Sequence, residues 1–212
     1  MNIILNGASG SGKGSMASLI VRDFGLVHIS TGNLFRENME KQTPLGKKVA
    51  EYVSTGKWVP DEVTIQVLLD RIKQDDCRKG VILDGFPRTL NQAKALKDVL
   101  DIDLVIFIDV TDEIVLARLG GRYMCKNCNT IHSTRWDKVD RCKKCGGELY
   151  QREDDKAEFI QKRLANFKLN NDEILDFYRA DNKLFVVHDK MENTPEDTYR
   201  EVKEVLSKLW NN

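Results

Sequence analysis

Two sets of residues in this chain have the types and spacing to do chemistry. The first is Gly7-Ala8-Ser9-Gly10-Ser11-Gly12-Lys13-Gly14-Ser15, which follows a short apolar run and opens a stretch of helical period. Glycines let a backbone wrap closely enough for its N–H groups to point at phosphate oxygens, with a helix N-terminus behind them. Gly10, Ser11, Gly12, Gly14 and Ser15 are therefore candidates to cradle a nucleoside triphosphate, with Lys13 set to neutralise its β- and γ-phosphates. The general pattern puts Ser or Thr directly after the lysine, and here Gly14 intervenes. The second set is Cys125-x-x-Cys128 and Cys142-x-x-Cys145, separated by thirteen residues. Two knuckles at that spacing predict a structural zinc site of four thiolates, closed to substrate. A pair of disulfides is the competing reading. His132 lies nearby, but four cysteines already complete a tetrahedron.

These residues need a scaffold. Short apolar runs at Asn2–Asn6, Leu26–Ile29, Val81–Leu83, Leu104–Ile108 and Leu184–Val187 alternate with segments of helical period such as Gly12–Phe24, Asp61–Lys73, Leu90–Leu100 and Ala157–Tyr178. That alternation predicts an α/β fold: five parallel strands with helices on both faces. Two stretches break the pattern. Residues 30–59 read as two helices with no strand between them, the second opened by Pro44. Residues 121–155 are polar, rich in Cys, Lys and Gly, and short of core material. The expected organisation is a core of residues 1–29, 60–120 and 156–212, a helical insert at 30–59 and a metal-bound lid at 121–155. An insert with so little apolar content cannot readily order itself through a core, and metal binding can contribute that free energy.

Composition narrows the partners. Thirty-three basic residues balance 33 acidic ones over 212 residues. A polynucleotide binder would more often carry a basic excess, because phosphate neutralisation drives its affinity. No apolar run reaches the ~18–20 residues that a membrane span needs. The N-terminus lacks the basic start, apolar stretch and cleavage site of a signal peptide. The expected address is the cytoplasm, where paired disulfides are disfavoured. Cys77 reads as an isolated thiol, and His28 and His188 as structural.

Ile82-Leu83-Asp84-Gly85-Phe86-Pro87-Arg88-Thr89, with Gln92 three residues on, resembles the signature of the adenylate kinases. Ser30-Thr31-Gly32-Asn33-Leu34-Phe35-Arg36 is similar to the family's second motif, with Asn33 where Asp is usual. Gly56-Lys57-Trp58-Val59-Pro60-Asp61-Glu62 resembles a third. The resemblance runs from Asn2 to about Tyr178 and implies a P-loop nucleoside monophosphate kinase fold. It implies a reversible, Mg²⁺-dependent reaction of ATP with AMP that gives two ADP, and a monomer whose lid binds zinc as in some bacterial members.

The resemblance also distributes roles. Thr31, Lys57, Trp58, Val59, Gly85, Phe86, Pro87 and Gln92 would surround the AMP base, and Arg36 and Arg88 would meet its phosphate. Asp84 would hold Mg²⁺ through water. Arg118 would cover the ATP base, and Arg122, Arg152 and Arg163 would embrace the phosphates. Arg152 and Arg163 are eleven residues apart, about three helical turns, so a continuous helix would put them on one face. Tyr123 stands where a second Arg is common, and Ala157 where Glu is frequent. The usual Val-Asp-Gly turn is replaced by Val187-His188-Asp189-Lys190-Met191, which makes Met191 the ATP-base contact and leaves GTP open as a donor. An acceptor phosphate is already anionic, so the reaction needs positioned positive charge and no general base. The alternatives are another nucleoside monophosphate kinase and a non-catalytic zinc-ribbon adaptor.

Overall fold

The computed structural model describes residues 1–54, 59–135, 138 and 140–211. In chain order the elements are β1 (Ile3–Asn6), α1 (Lys13–Phe24), β2 (Val27–Ser30), α2 (Thr31–Glu40), α3 (Pro44–Ser54), α4 (Asp61–Ile72), β3 (Val81–Asp84), α5 (Leu90–Lys97), β4 (Leu104–Asp109), α6 (Asp112–Gly120), β5 (Arg122–Cys125), β6 (Ile131–Ser133), β7 (Leu149–Tyr150), α7 (Ala157–Ala180), β8 (Leu184–His188) and α8 (Pro195–Trp210). Five strands form one parallel sheet in the order β2-β3-β1-β4-β8. These are the five apolar runs expected from the sequence.

Alternation across each strand feeds two cores. Ile3 and Leu5 face one side with Ile106, Ile20 from α1 and Val202 and Leu206 from α8. Ile4 faces the other side with Leu83, Val105, Leu96 and the α7 residues Ile174 and Tyr178. Fully burying such a side chain contributes about 1.5–3 kcal/mol, so the sheet is a rigid platform.

Register then sets where function can sit. Leu5 pairs with both Asp84 and Ile106, and Ser30 pairs with Asp84. The carboxyl ends of β1, β2 and β3 therefore finish level, delivering Gly7, Thr31 and Gly85 to one edge. Open α/β sheets gather ligands at that edge.

The interrupted stretches behave differently from the core. Residues 31–54 are the two helices α2 and α3, with Pro44 opening the second. The lid is a small antiparallel sheet in the order β6-β5-β7, a pairing the polar, Cys-rich sequence did not advertise. Among the described residues no helix is long and apolar enough to cross a membrane.

Candidate active site

The loop between β1 and α1 is shaped by its glycines. Gly10 has φ +86°, and a Cβ there would stand 2.8 Å from Leu119 Cγ. A side chain would strain the backbone and displace α6. Ala8, Leu119 and Val115 of α6, and Ile160 and Leu164 of α7 form a third apolar cluster that fixes this loop from below. Gly12 precedes the helix in a left-handed conformation, and Gly14 and Ser15 lie in its first turn, both half-buried. Ser11 is fully buried, and among the described residues its hydroxyl has no partner.

Lys13 donates to the carbonyls of Gly7 (2.6 Å) and Ala8 (2.7 Å). Burial lowers its pKa to about 8; Asp84 opposes that, while Arg88, Arg163 and Arg122 push further down. This lysine is a cation held against its preference. Asp84 ends β3 beside it. Burial raises the Asp84 pKa, but the His28 hydrogen bond (3.2 Å), Lys13 and Arg88 outweigh it and hold the carboxyl below its ordinary range. His28 is thus tied to a site residue, a role that a lone β2 histidine did not announce.

Beyond the end of β3, the Thr31 hydroxyl donates to Gly85 O at 3.0 Å and Arg88 Nε to the same carbonyl at 2.8 Å. Arg88 is open to water, yet protein crowds it, and that desolvation lowers its pKa against the pull of Asp84 and Asp154. Gln92 is 2 % exposed. Pro87, joined to Phe86 by a cis peptide bond, is buried. The Phe86 ring belongs to the core cluster beneath the sheet, so it braces the turn from inside. Val59 is half-buried just before α4, and Lys57 and Trp58 lie outside the described residues.

The arginines converge around two aspartates. Arg152 meets Asp154 through a fork at 2.9 and 2.6 Å. Arg163 donates to the same carboxylate at 2.9 Å and to Ser9 of the glycine loop at 2.7 Å. Arg122 grips Asp155 bidentately, its Nε at 2.8 Å, and the Asp155 side chain is fully buried. Arg36 bonds Asn33. Desolvation lowers Arg36 to about 10, with Arg152, Arg122 and Arg163 adding repulsion and Asp154 opposing. Arg163 is likewise lowered to about 10, by burial first and then by Arg152, Arg122 and Arg88 against Asp154.

Arg152 and Arg163 do not share the continuous helix that their spacing predicts: a 3₁₀ turn over Glu153–Asp155 intervenes, and α7 begins at Ala157. The two meet because that turn folds Asp154 back between them. Asp154 and Asp155 were not singled out as functional, although a carboxylate doublet beside an arginine was there to be read.

The opposite end of the cleft is built on the turn after β8. Arg118 pairs with Asp189 at 2.7 Å and donates to Ser11 O (3.1 Å) and Lys190 O (3.2 Å). Asp189 also accepts from the Thr198 hydroxyl at 2.6 Å, so α8 anchors the turn. Arg135 of the lid donates to the Met191 carbonyl. A Cβ on Gly14 would meet Ile131 Cδ1 of the lid at 3.6 Å, so the lid lies down over the glycine loop.

Within the lid, the sulfurs of Cys125, Cys128, Cys142 and Cys145 all lie within 4.8 Å of one another. Neighbouring pairs stand at 3.4 Å (125–145 and 145–128) and 3.5 Å (128–142), and all four are free thiols. A tetrahedron with metal–sulfur arms of ~2.3 Å has edges of about 3.8 Å, so the cluster is the size of a four-thiolate metal site. His132 Nε2 approaches Cys142 Sγ at 3.4 Å, the Asn127 N–H approaches Cys125 Sγ at 3.4 Å, and the Thr130 hydroxyl approaches Cys128 Sγ at 3.1 Å. Such contacts suit groups that orient thiolates, and His132 stands behind a cysteine instead of replacing one.

The adenylate kinase family model matches residues 5–183. The adenylate kinase of Caldicellulosiruptor bescii is 44% identical, over 97% of this chain and 99% of its own. That of Bacillus subtilis is 42% identical over 99% of both chains, and that of Archaeoglobus fulgidus 41% identical over 99% of both. With likeness running from end to end and through the cleft just described, the chain belongs to the adenylate kinase family.

Proposed function

We propose that this protein transfers a phosphoryl group reversibly between ATP and AMP, giving two ADP, and that the cleft cations carry the reaction. The observation behind this reading is the lowered pKa of Lys13, Arg36 and Arg163, with burial as the first cause and repulsion among the cations adding to it. A cleft strained by unneutralised positive charge gains most from binding several phosphates at once.

Lys13 and the loop N–H groups hold the donor's terminal phosphates, and Arg36 and Arg88 hold the acceptor phosphate in line with them. The attacking oxygen is already anionic, so no side chain removes a proton. Arg122, Arg152 and Arg163 exchange their Asp154 and Asp155 partners for the oxygens of the transferring group, where charge accumulates. Thr31 and Gln92 read the acceptor adenine, while Arg118 and the turn at Met191 border the donor base. Closure over both nucleotides excludes water, which would otherwise take the phosphoryl group.

Asp84 would hold Mg²⁺ through water, and that ion would supply charge neutralisation to the donor phosphates. The four cysteines would hold a structural Zn²⁺, with His132, Thr130 and Asn127 supporting them. Residues 30–59 serve as the acceptor insert and 121–155 as the lid on a core of 1–29, 60–120 and 156–212. The working unit is a single chain, because both nucleotide ends are built from its own elements. The test is direct: purified protein with Mg²⁺ and ADP is expected to yield equal ATP and AMP. No interconversion would end this reading. Offering AMP, CMP, UMP and GMP as acceptors, and ATP and GTP as donors, measures the selectivity at each end.

A further inference from the structure

A glutamine side chain looks nearly the same after a half-turn about its last bond, but the turn exchanges its donor for its acceptor. That matters wherever glutamine reads a purine. Adenine presents an amino donor at C6 beside the acceptor N1, whereas a 6-oxopurine presents an acceptor at C6 beside a donor N1–H. An amide free to turn would satisfy both kinds of base.

Gln92 is not free to turn. Its Nε2 donates to Asp61 Oδ1 at 2.7 Å, and a carboxylate can only accept. Its Oε1 accepts from the backbone N–H of Arg88 at 2.7 Å, which can only donate. The carboxylate is itself fixed, because Asp61 Oδ2 accepts from the Thr89 hydroxyl at 2.7 Å. Thr89 caps α5 by accepting from the Gln92 N–H at 3.2 Å. Turning the amide would set its NH₂ against the Arg88 N–H and its oxygen against a carboxylate oxygen, in a site where Gln92 is 2 % exposed and water cannot repair the mismatch. In the observed setting one N–H and one lone pair remain for a base.

From this we infer that Asp61 is a positioning residue that sets acceptor selectivity, holding Gln92 in the one orientation that suits a 6-aminopurine and rejects a 6-oxopurine. The inference rests on Gln92 as the adenine contact. Asp61 need not touch the nucleotide. Its distance from Gln92 in sequence hides the pairing, which exists because the first turn of α4 lies against the first turn of α5.

The experiment compares AMP with inosine monophosphate, whose base is the 6-oxo counterpart of adenine, by separating the nucleotides formed from ATP and determining kcat/KM for each acceptor. Asp61→Ala and Asp61→Ser are expected to lower the AMP-to-IMP ratio by about tenfold or more, with the KM for ATP within about twofold. Serine is well tolerated at a helix start and keeps the test available should the alanine variant not fold. Asp61→Asn is expected to restore the ratio to within about threefold, since its amide oxygen can still accept from Nε2 while its NH₂ donates to the Thr89 hydroxyl. An unchanged ratio in folded Asp61→Ser, whatever happens to the absolute rates, would show a merely structural carboxylate and overturn the inference. Gln92→Ala separates the two levels: if it collapses the ratio and the Asp61 variants do not, only the positioning role fails. If it too leaves the ratio unchanged, the assignment of Gln92 to the base is what falls.

Discussion

The core and the lid hold their cations by opposite means. In the core, Lys13 sits against backbone carbonyls, and burial first, then repulsion from three arginines, brings its pKa to about 8 against the pull of Asp84. Around the lid, Arg122 and Arg152 are each clasped by a carboxylate in a two-pronged grip. The frameworks differ in the same way: a sheet with apolar residues packed on both faces, against three short strands beside a knot of four sulfurs. A well-packed platform can keep a charge it does not neutralise. A thinly packed lid keeps its charges neutralised by partners of its own, which the proposed reaction would exchange for phosphate.

The largest expected effect strikes the core's chemistry and spares its framework. Lys13→Ala and Arg88→Ala should each lower turnover by about a thousandfold or more while the melting temperature stays within a few degrees, because neither side chain belongs to the apolar clusters. Retained turnover in either variant would remove that residue from the reaction.

Next comes the lid's framework. Chelation of the proposed zinc, or Cys142→Ser, should lower the melting temperature by about 10 °C before it changes chemistry at low temperature. An unaltered melting curve would mean that the sulfurs are not what orders the lid.

A pH profile sharpens the contrast between a strained and a satisfied cation. Lys13 must be protonated to grip phosphate, and its free-enzyme pKa is depressed to about 8. Its charge is therefore present below that pH and lost above it, and kcat/KM for ATP should fall about tenfold per unit beyond pH 8. The same cation is unfavourable in the folded protein below pH 8 relative to the unfolded chain. Its contribution to unfolding free energy accordingly becomes less adverse from about pH 8 up to its ordinary value of 10.5. A flat kcat/KM profile to pH 9.5 would show that Lys13 is not the titrating cation.

The smallest effect is expected at Lys126 and Glu148, which pair at 2.7 Å across the lid on exposed side chains. Glu148→Gln should shift the melting temperature by less than about 2 °C, since exposed pairs contribute roughly 0–1 kcal/mol. A larger drop would mean that surface charge shares the task assigned to the sulfurs.

Most of what could be read in advance was local. The glycine loop, the apolar strands, Pro44 at the head of α3 and the two cysteine knuckles each write their structure into a few consecutive residues. The misses were pairings between polar groups whose partners follow no period. The 3₁₀ turn that takes Arg152 off α7 depends on Asp154 and Asp155 being clasped from both sides, and nothing in an eleven-residue spacing reveals it. His28 reached Asp84 only once β2 and β3 were in register. Asp61 stood inside a quoted motif, yet its grip on Gln92 needed two helix starts to be set side by side. Pattern finds what repeats along the chain; carboxylates that tie separate segments leave no such trace.

Helix α7 carries one more consequence. It runs 24 residues, about 36 Å, from the 3₁₀ turn beside the lid to Ile174 and Tyr178 deep under the sheet. Such a rod has one end set like a post in concrete and the other at the doorway. On the proposed reading, lid movement would be taken up ahead of α7, in the turn at Glu153–Asp155, and would leave the floor of the cleft in place. Arg163, near the doorway end and tied to Ser9, therefore belongs to the frame, and a lid closing as proposed would meet a fixed mark there.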